Sequence, residues 1–140
     1  MNAPVPATDA GARALGRLAI DTVGWLTSTN PDGQPQSSPV WFLWADGEIL
    51  VYSHKRAPRN ENIRERPLVS FNLNTDASGD EVVTMEGIAR IDPAGPDASA
   101  NPAYLAKYLP NIQGYGWTAE SFEADYNVVV RITPTRWRVA

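Results

Sequence analysis

The chain has 140 residues, 43% of them apolar and 20% charged, which supports one globular domain and excludes a disordered chain. It holds no cysteine and one histidine, His54, which excludes disulfides, a thiol nucleophile and thiolate or multi-histidine metal sites, and leaves any chemistry to a borrowed cofactor. The net charge of −4 argues against general nucleic-acid affinity, no apolar run approaches the ~18 residues of a membrane span, and the opening residues lack the pattern of a secretory signal, so a cytoplasmic protein is expected.

Residues 1–9, rich in proline, read as a flexible tail, and 10–140 as the domain. A helix is predicted over 10–21, with Leu15, Leu18 and Ala19 on one face. Strand formers over 23–29 end in Asn30-Pro31-Asp32-Gly33, where proline and glycine occupy the positions a tight turn favours. The returning strand, 36–44, runs into a second turn signal, Ala45-Asp46-Gly47-Glu48, and an apolar strand over 49–53. One or two helical turns follow over 58–65, stopped by Arg66-Pro67 because the residue before proline is pushed out of the helical region. Further strands are predicted over 68–73 and 81–91, a helix over 102–109, and strands over 127–132 and 135–139 separated by Pro134. At least six strands, few helices and no repeated strand–helix–strand period make the fold mainly β, an antiparallel barrel.

Two segments can carry chemistry. Lys55, Arg56, Arg59, Arg64 and Arg66 put five of the twelve basic residues within twelve positions, following a strand and entering a helix. A helix start offers free N–H groups and partial positive charge, so Lys55, Arg56 and Arg59 make a phosphate pocket; the plainer alternative is a solvated face, with Arg64 and Arg66 paired to Glu61 and Glu65. In the strand through Pro39, the proline cannot donate to a ladder and signals an edge or bulge, which leaves backbone groups free for a planar ring. Val40, Phe42 and Trp44 alternate toward a core, leaving Trp41 on the other face, where a dimer interface is the alternative to cofactor stacking. His54 is a candidate general acid–base group, since histidine is the side-chain type that exchanges protons near neutral pH, although a solvent-facing or capping role is simpler. Asp76, Asp80, Glu81 and Glu86 match no metal-binding loop, and no metal is assigned.

Thr27-Ser-Thr-Asn-Pro-Asp-Gly-Gln-Pro35, Pro39-Val-Trp-Phe42, Tyr52-Ser53, Arg59-Asn-Glu-Asn-Ile63, Glu86-Gly-Ile-Ala89 and Thr135-Arg-Trp-Arg-Val139 together resemble the flavin/deazaflavin oxidoreductase superfamily that includes the pyridoxamine 5′-phosphate oxidase-like proteins. The resemblance spans about residues 18 to 139 and is nearest to the small class B members that use the deazaflavin coenzyme F420. There a Lys-x-x-Asn-Ile element helps hold the phosphate-bearing tail; here Arg59 stands at the lysine's place and Asn62 supplies the amide, which keeps the charge and changes its geometry. The resemblance implies a split β-barrel homodimer with cofactors at the subunit interface. It places Gln36, Pro39, Val40 and Trp41 near the ring, and Ser53, Lys55, Arg56, Arg59 and Asn62 near the tail. The implied activity is hydride transfer from F420 to a small conjugated or heteroaromatic substrate. An FMN-dependent oxidase or reductase, or a non-catalytic cofactor- or heme-binding module, is the alternative.

Overall fold

A computed structural model describes residues 2–140, and among these the chain forms seven strands, four α-helices and one short 3-10 helix. Helix α1 (Asp9–Ile20) is capped by the Thr8 side chain, which accepts from the Gly11 amide. Its buried face is Gly11, Ala14 and Leu18, whereas Leu15 is exposed, as is Ala19, so the predicted face is rotated. The cause is local: a Cβ on Gly11 would lie 1.7 Å from the Pro6 carbonyl oxygen, and that close approach fixes which side of the helix faces inward.

Strands β1 (Gly24–Thr29) and β2 (Pro35–Val40) form the first hairpin. Its turn is held by Asn30 Oδ1, which accepts from the Asp32 and Gln34 amides, and by Gly33 at φ +83°. The short β3 (Leu43–Ala45) and β4 (Glu48–Ser53) form the second hairpin, around Asp46 and Gly47, both at positive φ. Helix α2 (Pro58–Glu65) and strand β5 (Leu68–Leu73) have the bounds expected from sequence. After β6 (Val83–Ile91) come α3 (Pro102–Gly114), α4 (Ala119–Asp125) and β7 (Val128–Val139).

All pairings are antiparallel, in the order β2-β1-β5-β6-β7-β4-β3. The two edge strands, β2 and β3, are separated in the chain only by Trp41 and Phe42. From Val40 to Leu43 is three Cα steps, at most ~11 Å, so the sheet must curl until its edges come close. This is the split barrel expected from sequence.

The predicted continuous strand over 36–44 is therefore broken. The Tyr108 hydroxyl accepts from the Phe42 amide at 2.8 Å and also lies 2.8 Å from the Phe42 and Thr22 carbonyl oxygens; Lys107 Nζ donates to the Phe42 oxygen at 2.9 Å. These side chains take over the backbone groups a ladder would have used. The two predicted C-terminal strands are one: a bulge between Glu86 and Gly87 of β6 lets β7 pass Pro134, which faces Gly87. Helix α3 runs past Pro110 to Gly114 because Tyr104, Tyr108 and Ile112, four residues apart, are all buried along it. Helix α4, which the sequence reading lacked, starts in a reciprocal cap between Thr118 and Ser121.

Strand β4 is buried on both faces. Ile49 and Val51 enter the barrel core with Leu26, Phe42 and Phe71, while Leu50 and Tyr52 meet a second cluster built by α3 and α4 around Tyr104, Tyr108 and Phe122. No helix among the described residues is long and apolar enough to cross a membrane.

Candidate functional site

The second cluster opens into a cavity of about 420 Å³. Its floor is the break between β2 and β3, with Pro39, Val40 and Trp41; the end of β4 adds Tyr52 and His54, and the start of α2 adds Ala57 and Arg59. The opposite wall is aromatic: Tyr104 from α3, Tyr115 and Trp117 from the turn after it, and Phe122 and Tyr126 at α4. Trp41 stacks on Tyr108 (centroids 5.1 Å apart, 11° between planes) and on Phe122 (5.7 Å, 17°), and Phe122 stacks on Tyr126 (4.6 Å, 6°). Val40 and Phe42 point into the barrel core and Trp41 to the other side, as alternation predicts; Trp41 is occupied within its own chain.

Arg59 is the cation of this cavity. Its guanidinium donates to Ser53 Oγ at 2.9 Å and has no carboxylate partner among the described residues. Burial lowers its pKa from the ordinary arginine value, with the nearby Tyr126 opposing. No carboxylate lines the cavity. Helix α2 begins at Pro58, which carries no N–H, and no side chain caps it; the Asn60 N–H donates back to the Ala57 carbonyl at 3.1 Å.

The structure separates the remaining residues singled out from sequence. Lys55 Nζ lies 3.0 Å from Asp125 Oδ1, and that ion pair holds the Asp125 carboxyl below its usual range. Arg56 is exposed and has no acidic partner among the described residues. Gln36 and Asn62 meet away from the cavity: Asn62 Nδ2 is 3.5 Å from Gln36 Oε1 and 3.5 Å from Ser28 Oγ, and Arg66 donates to Asn62 Oδ1. Arg64 and Arg66 pair with Glu61 and Glu65, at 3.1 and 3.0 Å; Arg64 is exposed, whereas Arg66 is partly buried and also donates to the Thr29 carbonyl at 2.8 Å. His54 caps the turn: its Nδ1 accepts from the Arg56 amide at 3.0 Å, and its ring edge meets Tyr126.

Sequence reasoning missed the aromatic wall. The signal was the placement of four of the five tyrosines, with Trp117 and Phe122, between positions 104 and 126. Nothing local ties that stretch to Trp41 or Arg59; the folded sheet does.

A curled antiparallel seven-stranded half-barrel is the split-barrel fold of the flavin/deazaflavin superfamily. Residues 14–140 match the sequence model of the pyridoxamine 5′-phosphate oxidase family, and the chain belongs to that family. Among solved structures it is similar to a candidate pyridoxamine 5′-phosphate oxidase from Listeria innocua, at 25% identity and TM-score 0.65, covering 91% of this chain and 95% of that one. It is similar to a conserved hypothetical protein of Mycobacterium tuberculosis, at 25% identity and TM-score 0.69, covering 99% and 87%. An F420 reductase shares the fold at 22% identity and TM-score 0.65, covering 88% and 94%. Among curated proteins no relative matches the chain.

Proposed function

We propose that the protein is an oxidoreductase that binds the deazaflavin coenzyme F420 in the aromatic cavity and serves hydride transfer to a small conjugated or heteroaromatic substrate. The observation that carries this reading is Arg59: a partly buried guanidinium, unpaired by any carboxylate among the described residues, at an aromatic cavity that contains no acid. A charge withdrawn from water without a counter-ion calls for one from outside, and a phosphate supplies it. The residues present fit such a group. The cavity's 420 Å³ lies within the ~300–1,000 Å³ of sites that hold planar ligands of this size, and its walls are aromatic. When bound, the coenzyme supplies the hydride chemistry. The chain's own work is to orient: Pro39, Val40 and Trp41 bound the ring, while Arg59 with Ser53 holds the phosphate. No catalytic side chain is required of the protein beyond this, and water or an interface group provides the proton.

Titration of the purified protein with F420 and with FMN tests the proposal. F420 binding in preference to FMN supports it; FMN binding alone shifts the reading to the FMN-dependent enzyme. Arg59→Ala should weaken binding about ten- to a hundredfold, as expected for charge-assisted hydrogen bonds of roughly 1.5–3 kcal/mol, and Arg64→Ala, whose guanidinium is paired with Glu61, should change it less than threefold. Equal binding by both variants would remove Arg59 from the site. His54 is poorly set to be a heme ligand: its Nδ1 accepts the Arg56 N–H at 3.0 Å, whereas a metal-bound imidazole donates from its other nitrogen.

A further inference from the structure

Two buried side-chain polar atoms lack a hydrogen-bond partner among the described residues, Asn60 Oδ1 and the Tyr104 hydroxyl. The Asn60 side chain is already engaged, since its amide donates to the His54 carbonyl at 2.9 Å. The Tyr104 hydroxyl has nothing, although Tyr104 lines the cavity and its side chain is completely buried. Its two phenolic neighbours differ sharply. The Tyr52 hydroxyl donates to the Pro96 carbonyl at 2.7 Å and accepts from Asn101, and that of Tyr108 serves the Phe42 and Thr22 backbone. Three tyrosines pack together, with ring centroids 4.7 and 4.8 Å apart, and only one hydroxyl is idle.

Burying an unpartnered hydroxyl is costly, so native structures rarely keep one without a use. The cavity lining offers it no carboxylate or amide acceptor, and none of the lining side chains is bonded to it. Burial also drives the phenol's pKa far above its ordinary value, so it stays a neutral donor at any physiological pH. A neutral donor set in an aromatic wall fits a neutral acceptor at the edge of a flat ring.

We propose that Tyr104 is a specificity residue of this cavity, its hydroxyl donating to a carbonyl oxygen or ring nitrogen on the edge of a bound planar conjugated molecule. The proposal rests on the cavity being the cofactor-ring site argued above. It adds that ring edges presenting an acceptor at this depth are selected over edges presenting only donors or hydrocarbon.

Tyr104→Phe and Tyr108→Phe, four residues apart on α3, give opposite signatures. The Tyr104→Phe variant deletes an unsatisfied group, so its thermal midpoint should equal or exceed the parent's, while affinity for whichever of F420 or FMN the parent binds falls about tenfold, the loss expected for one neutral hydrogen bond. The Tyr108→Phe variant strands the Phe42 amide and should lower the midpoint by about 4 °C or more. Binding by Tyr104→Phe that equals the parent's, or a midpoint that falls as far as that of Tyr108→Phe, overturns the proposal. Those results concern Tyr104 alone; a parent that binds neither F420 nor FMN overturns the cofactor reading, and this proposal with it.

Discussion

At the scale of single residues, Lys107 shows how a local feature acts through pH. Its ammonium rests 4.0 Å from the centroid of the Phe42 ring and donates to the Phe42 carbonyl, with no carboxylate partner among the described residues. Burial lowers its pKa to about 8 from the ordinary 10.5, only partly opposed by Asp21, itself paired with Arg17. The unfolded chain therefore binds more protons than the folded one between about pH 8 and 10.5, and stability rises with pH across that interval. Tyr52, Tyr104 and Tyr108 act the other way. Their raised values mean that the unfolded chain loses phenolic protons first, so stability falls once pH exceeds about 10. Urea denaturation as a function of pH should show a rise from pH 8 toward 10, on the order of 1 kcal/mol because solvent screens a half-exposed amine. Lys107→Met should abolish the rise while leaving the fall above pH 10; an unchanged rise would show that Lys107 is not its source.

At the scale of elements, the β6–β7 bulge carries the sharpest test. Proline cannot donate to a ladder, yet β7 passes through Pro134 because the extra residue, Thr135, is accommodated where its hydroxyl donates to the Glu86 carbonyl. Glycine is required opposite: a Cβ at position 87 would lie 2.8 Å from the Thr133 oxygen and 2.7 Å from Ile132 Cγ2. Gly87→Ala should cost about 1–3 kcal/mol, read as a lower urea midpoint with an unchanged slope. A midpoint like the parent's would mean that the strand gives way easily. The bulge also marks where sequence becomes illegible. The ends of α2 and the two hairpin turns were readable because Pro58, Arg66-Pro67, Asn30 to Gly33 and Asp46-Gly47 act on their own neighbours. The passage through Pro134 depends on Gly87, and the break after Val40 on Tyr108, 66 residues from Phe42, so no local pattern announces either.

At the scale of the whole molecule, the outer face of the sheet looks unfinished. Leu68 of β5 and Ile88 of β6 are paired in register and are 70% and 43% exposed, at one end of a polar strip in which Ser70, Glu86 and Arg136 line a second cavity of about 510 Å³. We expect this face to be covered by a second copy, in a homodimer burying more than ~2,000 Å² in total. Sedimentation at low micromolar concentration should give a dimer, and Leu68→Asp with Ile88→Lys a monomer; a parent that sediments as a monomer would sink the expectation. The site was legible in the same partial way as the fold. The basic run from Lys55 to Arg66 stood out by composition, but which of its cations stays unpaired at the cavity depended on the fold and on Asp125, Glu61 and Glu65, and the aromatic wall on where the curled sheet sets α3 and α4. The seam between β2 and β3 ties these scales together. A helix outside the barrel latches it, through a hydroxyl that serves backbone at both Phe42 and Thr22. Loosening helix α3 therefore takes backbone partners away from the seam, and opening the seam takes a partner away from the helix. We expect the ligand wall and the barrel closure to loosen together, so a partly folded chain would hold the pocket poorly.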